Sequence, residues 1–197
     1  MFAKICGLRE ARHVTAAIDA GADAVGFVLT ASPRFVTASE ARELVGIADA
    51  RALTVGVFRH ETVDEVARLA DASGVAAIQV HGKRTRAEMS KLEQIGRTLI
   101  RAVPFDDPSL EEDWGENLLL VDAPRPGSGE AWDYAAMSGL SEARGRWLLA
   151  GGLTAGNVAA AVTAAKPYGV DVSSGVETAP GVKSTELIRA FLAAAKA

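Results

Sequence analysis

Two residues of this chain carry side chains suited to moving protons, and each follows a short apolar run. Cys6, the only cysteine, stands directly after residues 2–5 and directly before Gly7. Asp122 stands directly after residues 118–121. A small protein rarely needs a thiol at the tip of its first strand for packing. A thiol and a carboxyl group at the carboxyl ends of two strands suit general acid–base chemistry, provided that both strands belong to one parallel barrel. Other strand-tip residues join them: Ser32-Pro33-Arg34 after a second run, Gln79-Val80-His81-Gly82 around the end of a fourth, Gly151-Gly152 after a seventh and Ser173-Ser174-Gly175 after an eighth.

The elements that must hold these residues are legible in repeated punctuation. Thr37-Ala38-Ser39-Glu40, Thr62-Val63-Asp64-Glu65 and Thr85-Arg86-Ala87-Glu88 each read as a capping box, in which threonine and glutamate satisfy free amides at a helix start. Their spacing of roughly 24 residues is about one strand, one helix and two short loops. Gly21-Ala22-Asp23-Ala24-Val25, Gly74-Val75-Ala76-Ala77-Ile78 and Gly169-Val170-Asp171-Val172 read as left-handed helix caps that lead into buried strands. Strands are expected at 2–5, 24–28, 53–58, 77–80, 99–103, 118–121, 147–150 and 170–172, alternating with helical patterns. In the last helix Leu187, Ile188, Phe191 and Leu192 share one stripe after the cap candidate Ser184. The fifth unit is the weakest. Its segment 105–115, broken by proline and acidic residues, is expected to form a short or irregular helix.

Eight such units fit a single-domain (β/α)8 barrel of near-minimal length spanning 1–197. The alternative is an open doubly wound sheet, but no G-x-G-x-x-G follows the first strand. The composition narrows the partners. A net charge of −4 argues against nucleic acid and anionic membranes, which call for basic patches. A lone cysteine excludes an intrachain disulfide and a cysteine-based structural zinc site. No signal peptide and no apolar run of membrane-spanning length is visible, so a reducing, cytoplasmic setting is expected.

Gly151, Gly152, Ser174 and Gly175 form a candidate phosphate site. Glycines let the backbone approach an anion, while successive amides and a helix amino terminus supply partial positive charge. Barrels commonly bind phosphate after strands seven and eight. Either motif alone would read as a tight turn; the pair on those two strands favours phosphate.

With these motifs in view, the chain resembles the phosphoribosylanthranilate isomerase family. The resemblance is carried by Lys4-Ile5-Cys6-Gly7, Gly21-Ala22-Asp23-Ala24-Val25-Gly26-Phe27, Ser32-Pro33-Arg34, Val55-Gly56-Val57-Phe58 and Gln79-Val80-His81-Gly82. It continues through Leu120-Val121-Asp122, Gly127-Ser128-Gly129 with Trp132-Asp133-Tyr134, Leu149-Ala150-Gly151-Gly152-Leu153 and Gly169-Val170-Asp171-Val172-Ser173-Ser174-Gly175-Val176-Glu177, as far as Lys183. Arg9 and Glu130 depart from the family's usual residues in their loops.

The resemblance implies an Amadori rearrangement of N-(5'-phosphoribosyl)anthranilate in tryptophan biosynthesis, with no metal, redox step or cofactor. It implies Asp122 as general acid toward the ribose ring oxygen and Cys6 as general base toward the C2 proton. The acid would need desolvation or a neighbouring negative charge, and the thiol a nearby positive charge. Parity along the first strand puts Lys4 on the side of Cys6, facing the interior, where it either pairs with Asp171 beneath the thiol or runs out to solvent. Arg34 is the candidate for the anthranilate carboxylate, against a solvated loop arginine. His81 and Asp171 are further substrate-site candidates, His81 against a structural role. His13 and His60 read as surface residues, and Trp114, Trp132 and Trp147 as packing. The expected partner is a small phosphosugar, handled by a monomer or homodimer.

Three other functions compete. Cys6 could be a nucleophile with His81 as its base, although strands one and four lie three apart. The barrel could be a phosphosugar-binding module, which would have no use for both Cys6 and Asp122. It could also be a related barrel isomerase of a histidine-pathway ribonucleotide, for which paired aspartates are expected in place of Cys6.

Overall fold

A computed structural model, which describes residues 1–123 and 131–197, starts a helix at each of the three Thr-x-x-Glu sequences. At each start the threonine oxygen accepts the glutamate backbone N–H, while the glutamate carboxylate accepts the threonine N–H at 2.7–2.8 Å. Such a cap stabilises its helix by about 1 kcal/mol. The Gly127-Ser128-Gly129 motif and Glu130 lie outside the described residues.

In chain order the elements are β1 Phe2–Cys6, α1 Ala11–Asp19, β2 Ala24–Val28, α2 Ala38–Ala48, β3 Leu53–Phe58, α3 Val63–Ser73, β4 Ala77–Val80, α4 Arg86–Glu93 and β5 Thr98–Pro104. They continue as β6 Leu118–Asp122, α5 Leu140–Arg144, β7 Trp147–Leu149, α6 Val158–Ala165, β8 Gly169–Val172, an antiparallel hairpin of β9 Glu177–Ala179 with β10 Val182–Lys183, and α7 Thr185–Ala195. The strands β1 to β8 pair in parallel and in sequence order, and β8 closes onto β1 through Phe2↔Gly169 and Lys4↔Asp171. The result is a closed (β/α)8 barrel.

Closure divides the apolar residues into two sets. Ala3, Ile5, Val25, Phe27, Ile78, Leu99, Leu119, Val121, Leu149 and Val170 point outward and pack under the helices. Alternate residues point inward, including Val55, Val57, Ile100, Leu118, Leu120 and Leu148, with Cys6 among them. This period of two sends strand-tip side chains such as Cys6 and Asp122 into the barrel mouth. In α7, Ile188, Phe191 and Leu192 are buried as the stripe requires, and Ser184 Oγ caps Leu187 N–H.

Three expectations need correction. Gly169 is not a helix cap: Lys166 takes the left-handed cap of α6 at φ 52°, and Gly169 begins β8. It is small because a side chain there would strike the β1 backbone at Phe2. His13 is not a surface residue: it is 2% exposed, because α1 buries five of its nine residues, more of its circumference than its polar pattern suggests. His60 is exposed as expected. The β5–β6 connection, expected to be irregular, holds no helix at all. A buried arginine occupies that place. Arg101 donates to Ser109 Oγ at 2.8 Å and to the carbonyls of Ser109 and Glu112 at 3.2 and 3.0 Å, pairs with buried Glu116 at 3.0 Å and lies 4.9 Å from the Trp114 ring centre. Charged and carbonyl partners thus close the wall where a helix would otherwise bury apolar surface.

Candidate active site

The tips of β1 and β6 lie three strands apart around the ring, with β8 and β7 between them. Cys6 and Asp122 both line one cavity of about 170 Å³ at this end. Of the other residues read from the sequence, Arg34, His81, Asp171, Gly151, Gly152 and Ser174 line the same cavity.

Cys6 is 7% exposed. Its neighbours are charged: Lys4 on its own strand is fully buried and pairs with Asp171 on β8 at 2.8 Å. The pairing beneath the thiol is therefore present, and Lys4 does not run out to solvent. A side-chain carbon at Gly26, opposite Cys6 in β2, would lie 3.0 Å from Cys6 Sγ and 3.3 Å from Lys4 Nζ, so β2 leaves that space to both groups. Burial pushes the Cys6 thiol up; Lys4 pulls it down, Asp171 pushes it up and Lys183 pulls it down. The positive charge is in place, but desolvation outweighs it, and the resting group is a thiol.

Asp122 is shifted in the same direction. Burial lifts its pKa from 3.8 to about 6, opposed by the Ala123 N–H, lifted further by Asp171 and lowered by Lys4. Its Oδ1 accepts the Ala123 N–H at 2.8 Å. Gly151 makes room for this arrangement. It sits at φ 82°, and a Cβ there would come within 2.9 Å of Asp122 Oδ1. A residue assigned to phosphate from its sequence therefore also shapes the seat of the carboxyl group.

The loop after β7 is held from within and from the segment before α5. Asn157 accepts the Thr154 N–H at 2.7 Å and donates to the Gly152 carbonyl at 2.9 Å. Tyr134 Oη donates to the Gly151 carbonyl at 2.9 Å, and Trp132 Nε1 to that of Ala150 at 3.1 Å. Trp132 also stacks on Phe105 with ring centres 4.9 Å apart, which is the packing role expected of it. Gly175 does not line the cavity. It lies in a short 3₁₀ turn, Ser174–Val176, where any side chain would overlap the Leu153 carbonyl. Its smallness lets the β8 loop press against the β7 loop. That 3₁₀ turn stands where an α-helix amino terminus was expected.

His81 is held by Gln79, with Nε2 atoms 2.7 Å apart. Burial lowers the His81 pKa to about 4, with Lys4 and Arg59 adding to the effect, so the ring is neutral near pH 7. One ring nitrogen is thus engaged by the Gln79 amide, which fixes the orientation of the ring. A ring nitrogen engaged by Gln79 is poorly placed to serve Cys6 as its base.

Arg34 spends part of its fork inside the protein. Nε and Nη2 donate to the two carboxylate oxygens of Glu177 at 2.7 and 2.8 Å. Lys183 reaches the same carboxylate at 2.7 Å and the Ser173 carbonyl at 2.8 Å. Neither Glu177 nor Lys183 was singled out as a site residue, although both stand in the motifs that carry the resemblance. Gln79 and Ser173, read from the sequence as strand-tip residues without a role, also line the cavity, as does Arg59, which was not singled out. Arg59 stands in an exposed loop after β3, where nothing in the neighbouring residues marked it.

No group of three or more acidic, histidine or cysteine side chains suited to a metal ion occurs among the described residues. Nor is any of their helices long and apolar enough to cross a membrane.

The family model for N-(5'phosphoribosyl)anthranilate (PRA) isomerase matches residues 3–194. A relative from Acidiphilium cryptum, named N-(5'-phosphoribosyl)anthranilate isomerase, is 44% identical and covers 99% of this chain and 98% of its own length. The phosphoribosyl anthranilate isomerase of Thermus thermophilus superimposes with a TM-score of 0.91 at 36% identity, covering 98% of both chains. A further isomerase structure, in complex with reduced 1-(o-carboxyphenylamino)-1-deoxyribulose 5-phosphate, has a TM-score of 0.89 at 29% identity and covers 100% of this chain and 98% of its own.

Proposed function

The chain belongs to the N-(5'-phosphoribosyl)anthranilate isomerase family, and from that premise we propose that Cys6 is its general base and Asp122 its general acid. Its reaction is the aldose-to-ketose rearrangement of N-(5'-phosphoribosyl)anthranilate to 1-(2-carboxyphenylamino)-1-deoxyribulose 5-phosphate, a step of tryptophan biosynthesis. Residues 1–197 act as one catalytic domain.

Protonated Asp122 gives its proton to the ribose ring oxygen. The bond from that oxygen to C1 breaks, and the nitrogen lone pair closes a C1=N iminium. Cys6, as thiolate, then takes the C2 proton, and the electrons of that C–H bond form the enolamine. Proton return to C1 and loss of the enol proton leave the ketone at C2. Each positioned group contributes about 10²–10⁴-fold, or roughly 3–5 kcal/mol.

The observation that carries this reading is that a buried carboxyl group, protonated up to about pH 6, opens on the same cavity as a thiol flanked by two lysines. Asp122 carries the acid's proton up to about pH 6 and in a minor fraction of molecules at neutral pH. Cys6 reaches its base form as a minor thiolate stabilised by Lys4 and Lys183, and a cationic iminium alongside it would raise that fraction.

The substrate's anionic ends are held apart. Gly151, Gly152 and Ser174 bind the phosphate, with Gly175 setting the approach of their loops. Arg34 takes the anthranilate carboxylate. His81, oriented by Gln79, lies beside the substrate as a neutral ring, and Asp171 acts through Lys4. The partner is the phosphosugar alone, without nucleic acid or membrane, in the cytoplasm. The protein acts as a monomer or a homodimer.

The test is turnover of N-(5'-phosphoribosyl)anthranilate, followed by anthranilate fluorescence, in the wild type, Cys6→Ala and Asp122→Asn. Loss of at least about a hundredfold in both variants is expected. Near-normal turnover in either removes that residue from its role.

A further inference from the structure

Arg34 is the only cation assigned above to the anthranilate carboxylate, yet its Nε and Nη2 are already committed to Glu177 at 2.7 and 2.8 Å. A guanidinium has five N–H bonds. The side-on pair with Glu177 uses one from Nε and one from Nη2. What remains is the terminal edge, one N–H of Nη2 and two of Nη1, which is itself a fork able to grip a second carboxylate.

Glu177 is fixed in its turn. Its carboxylate is 4% exposed and receives Lys183 Nζ at 2.7 Å. The other donors of Lys183 go to the Ser173 carbonyl at 2.8 Å and Ser173 Oγ at 3.1 Å, and Ser173 Oγ donates to the Cys6 carbonyl at 3.2 Å. The loop bearing Arg34 is seated on the same hairpin. Gly181, between β9 and β10, has room for no side chain beside the Pro33 carbonyl, and that carbonyl accepts Arg9 Nη1 at 3.1 Å. A side chain at Gly7 would strike the stem of Arg34 at Cδ.

We propose that Glu177, clamped by Lys183, is a positioning residue that aims the terminal fork of Arg34 into the cavity and thereby sets selectivity for an aminoaldose whose aryl group carries an ortho carboxylate. This inference rests on the Arg34 assignment above and adds to it the residues that make it selective. An arginine free to swing loses rotamer freedom whenever it binds. One already held at Nε and Nη2 loses little, and offers its fork at a fixed angle.

The experiment compares dissociation constants for two probes: reduced 1-(o-carboxyphenylamino)-1-deoxyribulose 5-phosphate and its phenylamino counterpart without the carboxyl group. Their ratio measures carboxylate recognition alone, because both share the phosphosugar. Glu177→Gln keeps the shape but replaces one accepting oxygen with an amide that repels Nη2–H. It is expected to cut the ratio about tenfold while leaving the phenylamino probe's affinity within about twofold, the size of one charge-assisted hydrogen bond misdirected. With substrate, the loss is expected in KM and not in kcat.

Arg34→Lys is expected to abolish most of the ratio, and adding Glu177→Gln to it should cost nothing further, since the two act through one another. Lys183→Met, which frees Glu177 from the other side, should reduce the ratio in the same direction. If Glu177→Gln and Lys183→Met both leave the ratio intact while Arg34→Lys destroys it, the clamp is refuted and the Arg34 assignment survives. If Arg34→Lys leaves the ratio intact, the assignment and the clamp fall together. An equal loss of affinity for both probes in Glu177→Gln would show a merely structural role and likewise refute the clamp.

Discussion

Replacing Asp122 with asparagine is expected to slow turnover and stabilise the fold in one step. The group is 9% exposed and its pKa stands at about 6, lifted from 3.8. In the unfolded chain it titrates near 3.8. Between that value and about 6 the folded protein binds the extra proton, so wild-type stability falls as pH rises through this window and stays lower above it. A difference of two pKa units corresponds to about 3 kcal/mol. Asparagine has no charge to desolvate and keeps the oxygen that accepts the Ala123 N–H. Its new amide donors cost about 1 kcal/mol if they find no partner. The net expectation is a gain of about 2 kcal/mol near neutral pH that turns into a loss of about 1 kcal/mol below about pH 4. Urea unfolding across pH measures it directly.

Kinetics on the same variant carries the second half. Turnover needs Asp122 protonated and Cys6 ionised, yet the thiol is the weaker acid of the two. The productive form is thus a minor one. Its population rises with pH up to about 6, as thiolate accumulates while the carboxyl group keeps its proton. Above about 6 the gain in thiolate is cancelled by loss of the carboxyl proton, and kcat/KM levels off until the thiol itself titrates. In Asp122→Asn the levelling near pH 6 is expected to disappear, leaving a rate about 10²–10⁴-fold lower that keeps climbing with pH toward the Cys6 limit. A variant that still levels off near pH 6, or one that is no more stable than wild type near neutral pH, would refute the placement of a buried, proton-bearing carboxyl group at this position.

Two further outcomes follow from the geometry. Lys4→Met strands Asp171 in the barrel without its partner, and should cost about 3–5 kcal/mol in chemical denaturation; it should also move the upper limit of the kcat/KM profile to higher pH, because one of the two lysines that favour the thiolate is gone. Gly175→Ala drives a methyl group into the Leu153 carbonyl and so separates the β7 and β8 loops; inhibition by inorganic phosphate is expected to weaken by about tenfold or more, and phosphate inhibition equal to wild type would remove those loops from anion binding.

Much of this molecule is written locally. The three capping boxes depend on residues three apart, and the eight strands on short apolar runs and flanking turns, so both could be read before any fold was known. The same holds for Cys6 and Asp122, whose strand-tip positions follow from where an apolar run stops. Lys4 and Asp171 lie 167 residues apart, and parity could offer their pairing only as one of two outcomes. Closure of β8 onto β1 decided it.

Other features were decided by tertiary structure alone. Glu177 meets Arg34 across 143 residues because a hairpin after β8 folds back over the loop after β2. Gly169 is small on account of a neighbouring strand, not of its own helix. His13 is buried by what packs over α1. The raised thiol and the raised carboxyl group owe their shifts chiefly to desolvation, which exists only once the barrel has excluded water. Backbone hydrogen bonding and side-chain periodicity are short-range and leave their mark in neighbouring letters; burial, ring closure and the charge felt at a buried atom are sums over the whole chain, and no local stretch of sequence contains them.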